Sequence, residues 1–157
     1  MKKKVLPVIV AILLILVIGG CALGKVLLDK YSYSKEEADW NEFYQVSEND
    51  RSAIILQNEM VEEQALIKDG VCYFDLATVH KYLNEVFYAD MTENLLLYAT
   101  PTEVIRTTFG ETAYTTTEGT QEAGYLISFV DGDNVYVAAD YVKLFTNYSY
   151  ECYDRHV

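Results

Sequence analysis

The sequence has two prolines, eight glycines, three cysteines, two histidines and one tryptophan in 157 residues, and it is short of positive charge. So little proline and glycine, beside a 13% aromatic content, excludes a collagen-like or disordered chain. Three cysteines do not make a disulfide framework. Lys2, Lys3, Lys4, Lys25 and Lys30 face Asp29 alone in the first thirty residues, which leaves 7 basic against 23 acidic side chains over the other 127. A surface of that sign repels phosphates, so sequence-independent binding to nucleic acid is excluded. His80 and His156 have no Cys or His at metal-ligand spacing, and His80 falls on the polar side of its segment. Ser128 has no nucleophile-elbow glycines around it, and neither a phosphate loop nor a dinucleotide fingerprint is present. No catalytic, cofactor-binding or metal-binding residue is assigned, and no cofactor is expected.

One long hydrophobic run is there. Val5 to Gly24 carries no charge, and as a helix it would measure about 30 Å, the thickness of a bilayer's hydrocarbon core. With three lysines before it, the positive-inside rule predicts a transmembrane signal anchor through the lipid bilayer over residues 5–24. The N-terminus is then cytoplasmic and the bulk extracellular at the cell membrane, in single-pass form. An alternative stays open, because Ile18-Gly19-Gly20-Cys21 loosely fits a lipoprotein signal with Cys21 lipidated. Outside the cell Cys72 and Cys152 would meet an oxidising setting. Cys72 stands in an apolar-alternating stretch, however, and both read as free thiols.

The chain divides into a Lys tail and anchor (1–30), a helical stalk (31–50) and a body (51–157). Ser34-Lys35-Glu36-Glu37 reads as a capping box opening a helix to about Tyr44. Ala53–Gln57 and Gln64–Ile67 read as strands, and Asp69-Gly70 before Val71–Phe74 is a strong hairpin signal. Asp75 can cap a helix carrying Leu76, Val79, Leu83, Val86 and Phe87 at helical spacing. Leu95–Tyr98, Val104-Ile105 and Ala113–Thr115 are further strands, and Thr117–Glu122 reads as a loop. Gly124–Val130, a turn at 131–134, Val135–Val137 and a helix through Ala139, Val142 and Phe145 then repeat the earlier order at an offset of 63 residues. Tyr73 with Tyr136, Val79 with Val142 and Asn84 with Asn147 are identical across that offset. The expected fold class is α+β: a transmembrane helix, then two related hairpin/short-helix units forming a small antiparallel-sheet domain. The strand Leu95–Leu97 has no counterpart before Val157, so the chain reads as the N-terminal part of a longer protein.

The unit from Lys68-Asp69-Gly70 to Leu95–Tyr98 resembles the copper amine oxidase N-terminal-like domain, which despite its name binds no copper and catalyses nothing. The order of Lys-rich anchor, Tyr31–Lys35, Ala53–Gln57, Tyr73–Asp75 and Tyr136–Val142 is similar to the N-terminal region of membrane-anchored family 18 glycoside hydrolases. The resemblance implies a non-catalytic module that positions a chitinase-like domain, absent from this chain, at the cell wall. Peptidoglycan or another N-acetylglucosamine polymer would be its partner. The family's catalytic strand is only approached by Asp131-Gly132-Asp133-Asn134, which lacks the later aspartates, has Ala138 in place of the general acid, and reads as a turn. The 14 tyrosines suit half-buried strands, but Tyr136, Tyr148 and Tyr150 are candidates for stacking on a sugar ring. The alternative function is an independent envelope protein that binds peptidoglycan or a protein partner through its Tyr-rich face.

Overall fold

The computed structural model describes residues 5–31, 39–46, 48–153 and 155–157, with side chains in the first helix for Val10 and from Leu13 onward. The chain divides between Ala38 and Asp39 into two units. The first contains helix α1, Val5–Tyr31. Among the described residues no helix is long and apolar enough to cross a membrane. The described side chains from Leu13 to Tyr31 include Lys25, Asp29 and Lys30 in any eighteen-residue stretch, and charges are costly in hydrocarbon. The expected transmembrane helix, and with it the single-pass placement with a cytoplasmic N-terminus and extracellular bulk, is corrected accordingly. The capping box at 34–37 lies outside the described residues.

The second unit opens with α2, Trp40–Phe43, capped by the Asp39 carboxylate, which accepts from the Asn41 N–H at 2.9 Å. Ten strands follow: β1 (Arg51–Leu56), β2 (Glu59–Lys68), β3 (Val71–Asp75), β4 (Phe87–Asp90), β5 (Leu95–Ala99), β6 (Val104–Thr108), β7 (Ala113–Thr116), β8 (Gly119–Glu122), β9 (Ser128–Asp131) and β10 (Asn134–Ala138). They form two five-stranded antiparallel sheets, ordered β1-β2-β3-β10-β9 and β4-β5-β6-β7-β8. The unit is therefore a mostly β body of two sheets with short helices, which roughly fits the α+β class expected. The polar stretch expected as a loop supplies β8, all of whose residues are exposed, paired to β7 from Ala113↔Glu122 to Thr116↔Gly119.

The turns explain the hairpin registers. Asp69 and Gly70 both take positive φ, 52° and 78°, which matches the right-handed strand twist between Lys68 and Val71. Between Asp131 and Asn134, Gly132 alone is left-handed at 59°, the alternative tight turn that needs glycine first.

The helix expected from Asp75 to Phe87 stops early. Asp75 does cap it, accepting from the Ala77 N–H at 3.3 Å, but α3 (Leu76–Thr78) widens at Val79–Leu83 into a π-turn closed by Asn84 N–H to Val79 O at 2.7 Å. Asn84 is then extended, and its amide donates to Phe145 O at 3.0 Å while its Oδ1 accepts from the Val86 N–H at 3.0 Å. Phe87, released from helical geometry, enters β4 opposite Tyr98 and is buried. Helix α4, Ala139–Lys143, joins the two sheets. Ala139 and Val142 belong to the shared core, and Tyr141 meets Phe87 and Tyr114 of the second sheet at ring-centroid distances of 6.1 and 5.4 Å. Phe145 stacks on Tyr98 at 4.4 Å. Aromatic pairs of this kind contribute about 0.5–1.5 kcal/mol each beyond the area they bury.

Candidate functional site

A groove is formed where the chain leaves α4. Successive turns, with Leu144 N–H to Tyr141 O at 3.1 Å and Phe145 N–H to Val142 O at 3.1 Å, unwind the helix. The chain then runs without regular structure through 147–153 and returns to β1. There the Ala53 and Ile55 N–H groups donate to the Arg155 and Val157 carbonyls, both at 2.9 Å, and the Val157 N–H donates to Ala53 O at 2.9 Å. These bonds cover the free edge of β1, which would otherwise present unpaired donors. Between this segment and the first sheet lies a cavity of about 190 Å³. Ile54, Leu56, Phe74, Ala139 and Val142 line it with apolar surface; Tyr148, Ser149, Tyr150, Lys143 and Glu151 contribute the more polar part.

Tyr150 and Tyr148 present different surfaces. Tyr150 is half-buried, edge-on to Phe74 at 6.4 Å, with the Lys143 ammonium 5.8 Å from its ring centre. Burial first, then hydrogen bonding to the Asp140 carboxylate, pushes its phenol well above the ordinary tyrosine range. Tyr148 is 54% exposed and carries no such restraint in the hydrogen-bond or ring contacts of the described residues. An aromatic face over an aliphatic floor, edged by a hydroxyl, a cation and a carboxylate, suits a ligand with both an apolar face and polar edges.

Tyr136 is placed elsewhere. Val137 stands opposite Phe74, so its neighbour Tyr136 projects from the other face of the sheet. It is buried, stacked on Phe129 at 5.4 Å and 21°. Its hydroxyl accepts from Arg51 Nη1 at 3.2 Å, and this bond is the main reason the guanidinium pKa is raised. The Lys68 ammonium lies 4.3 Å from the Phe129 ring centre, so cations and rings alternate. The three tyrosines thus separate: Tyr148 and Tyr150 share the groove, and Tyr136 joins a packed cation–aromatic stack.

Cys21 is exposed on α1; Cys72 is buried in β3 and Cys152 is exposed in the segment after α4, each with a free thiol. Asp131-Gly132-Asp133-Asn134 is the exposed turn between β9 and β10. His80 is exposed and donates from Nε2 to Phe87 O at 2.5 Å, while His156 is sandwiched between Tyr44 and Tyr153 at 4.8 and 4.7 Å. Among the described residues no group of three His, Cys, Asp or Glu side chains could hold a metal ion. Glu63 accepts from the Lys81 ammonium at 2.7 Å and from the Tyr82 hydroxyl at 2.9 Å.

Sequence reasoning named the two rim tyrosines but not the floor beneath them. Ile54, Phe74 and Val142 come from three separate elements, and the only signal for their meeting was the apolar pattern of each. No family model matches the chain, and no curated protein or solved structure matches it.

Proposed function

We propose that the unit from Asp39 to Val157 is a non-catalytic binding module whose groove takes an N-acetylglucosamine polymer. The observation that carries this reading is the pair Tyr148 and Tyr150 over the floor of Ile54, Phe74 and Val142. The axial C–H face of a pyranose stacks on an aromatic ring, and an acetamido methyl group fits an aliphatic floor. Ser149, Lys143 and Glu151 stand where hydroxyl and amide groups of the sugar can bond. The family resemblance extends the proposal: by holding such a polymer, the module would position a family 18 glycoside hydrolase domain on it.

The test is retention of the full chain on chitin and on purified peptidoglycan, with titration calorimetry against a soluble chitooligosaccharide. Binding above that of an equally acidic control protein is expected. Loss of the Tyr148 stacking surface in Tyr148→Ala should weaken it about tenfold, equivalent to about 1.4 kcal/mol. No binding above the control refutes the reading, and so does binding unchanged by Tyr148→Ala. Turnover of the oligosaccharide by the chain overturns the non-catalytic assignment.

A further inference from the structure

Four rings form a ladder where α2 meets the end of the chain. Tyr153 stacks on His156 at a centroid distance of 4.7 Å and 20°, His156 on Tyr44 at 4.8 Å and 26°, and Tyr44 on Trp40 at 6.0 Å and 22°. Phe43 stands edge-on to Tyr44 at 4.9 Å. The backbone holds the rungs in place: the Tyr44 N–H donates to Trp40 O at 2.9 Å, and the Tyr153 N–H donates to His156 O at 2.8 Å. The end ring, Tyr153, is nevertheless 53% exposed, and His156 is the one ring it meets among the described residues. One of its faces is therefore covered and the other is open. Its hydroxyl donates to the Glu151 carboxylate, which ties down the tip of the side chain. An open aromatic face held from behind, at its tip and by its backbone has already lost the freedom that binding would otherwise cost it.

We propose that Tyr153 is a second stacking site for the polymer held in the groove, so that the protein engages several linked sugar rings at once. The proposal rests on the groove reading and adds a site to it. Two residues make the groove and the ladder continuous. Glu151 lines the groove and accepts from the Tyr153 hydroxyl, and Val157 lines the groove next to His156 in the chain. Tyr150 and Tyr153 are three residues apart, so their Cα atoms are separated by at most about 11 Å, within reach of a short run of pyranose rings. The Glu151 carboxylate at the junction accepts hydrogen bonds and carries negative charge. It therefore suits the hydroxyl and amide N–H groups of an uncharged polymer and disfavours an anionic one. Two sites engaged by one ligand reinforce each other, because the second ring binds from a high effective concentration once the first is held. The signature of this arrangement is an affinity that rises with polymer length and owes that rise to Tyr153.

The experiment is titration calorimetry of the full chain with N-acetylglucosamine oligomers, from the dimer to the hexamer. Wild type should bind the hexamer about tenfold or more tighter than the dimer. Tyr153→Ala should bind the dimer as wild type does and lose about tenfold on the hexamer, whereas Tyr148→Ala should weaken both. Unchanged dimer binding also shows that the groove of the variant is intact. Tyr153→Phe keeps the ring and should keep most of the hexamer affinity. A hexamer affinity unaltered by Tyr153→Ala, with Tyr148→Ala still weakening both lengths, overturns this inference and leaves the groove reading standing. Equal losses on dimer and hexamer in Tyr153→Ala overturn it as well, because the ring would then support the groove instead of meeting sugar. No binding of either oligomer by wild type refutes the groove reading, and this site falls with it.

Discussion

Val137 of β10 stands directly opposite Phe74 of β3, and the same two residues are equivalent under the 63-residue offset between the two hairpin–helix units. A residue that pairs with its own equivalent lies on a local twofold axis. The flanking register agrees: Tyr73 pairs with Ala138, and Tyr136, the equivalent of Tyr73, pairs with Asp75, the equivalent of Ala138. The units thus join through their second strands, and Val137, fully buried, sits at the join. Val137→Thr keeps the β-branched shape but buries a hydroxyl, at a cost of about 1–3 kcal/mol if it finds no partner. The urea midpoint should fall accordingly. The same change at Val104, which is 54% exposed in β6, should stay within about 0.5 kcal/mol.

The symmetry breaks at the next pair of equivalents. Asp75 caps α3 through its carboxylate, whereas Ala138 precedes α4 without a side-chain cap and is fully buried. The first unit therefore depends on a cap that the second replaces by packing. Asp75→Ala should lower stability by about 0.5–2 kcal/mol, with Asp75→Asn retaining most of it. Equal midpoints for wild type and Asp75→Ala would show that the 3.3 Å bond contributes nothing.

What could be read directly was local. Asp-Gly at 69–70 and Gly-Asp at 132–133 specify tight turns by backbone freedom alone, and the strands beside them are apolar enough to declare themselves. The two edge strands of the second sheet, β4 and β8, were hidden, each for its own physical reason. β8 is exposed along its whole length, so no hydrophobic alternation marks it; β4 begins at Phe87, whose spacing from Leu76, Val79 and Leu83 imitates a helix. A hydrogen bond from Asn84 to Phe145, sixty-one residues away, accompanies the break, and such a partner is invisible to local pattern. The groove behaves likewise. Strand parity relative to Phe74 separates Tyr136 from it, but that register needs the β3–β10 pairing, a long-range fact.

Glu63 ties the middle of β2 to the π-turn through Lys81 and Tyr82. Bonds from the Lys81 ammonium first, and from the Tyr82 hydroxyl second, hold its carboxyl below the usual value of 4.5. A carboxyl depressed in the folded state stabilises the protein above its unfolded pKa, and this contribution disappears as pH falls through the lower folded value. Glu63→Gln should therefore be less stable than wild type at neutral pH and converge on it in acid, as followed by urea midpoints across that range. The group is largely solvated, so the gap is small. A constant difference at every pH would mean that the ionisation of Glu63 does not matter.

Tyr125 carries the corresponding alkaline prediction. Burial first, then the negative charge of Asp140, pushes its phenol from 10.0 up to about 12. Tyr141, deeper in the core with its hydroxyl unpartnered, is pushed higher still by burial. A phenol whose folded pKa is raised favours the folded state fully below the unfolded value, and that advantage is lost as pH rises from about 10 through about 12. The tyrosinate absorbance of Tyr125 and Tyr141 should appear only as the fold opens. Tyr125→Phe leaves the packing in place and deletes the proton. It should match wild type at neutral pH within about 0.5 kcal/mol and flatten the loss of stability between pH 10 and about 12. A wild-type titration in which every tyrosine ionises together near 10.0, with secondary structure intact, would contradict the burial assigned to both residues.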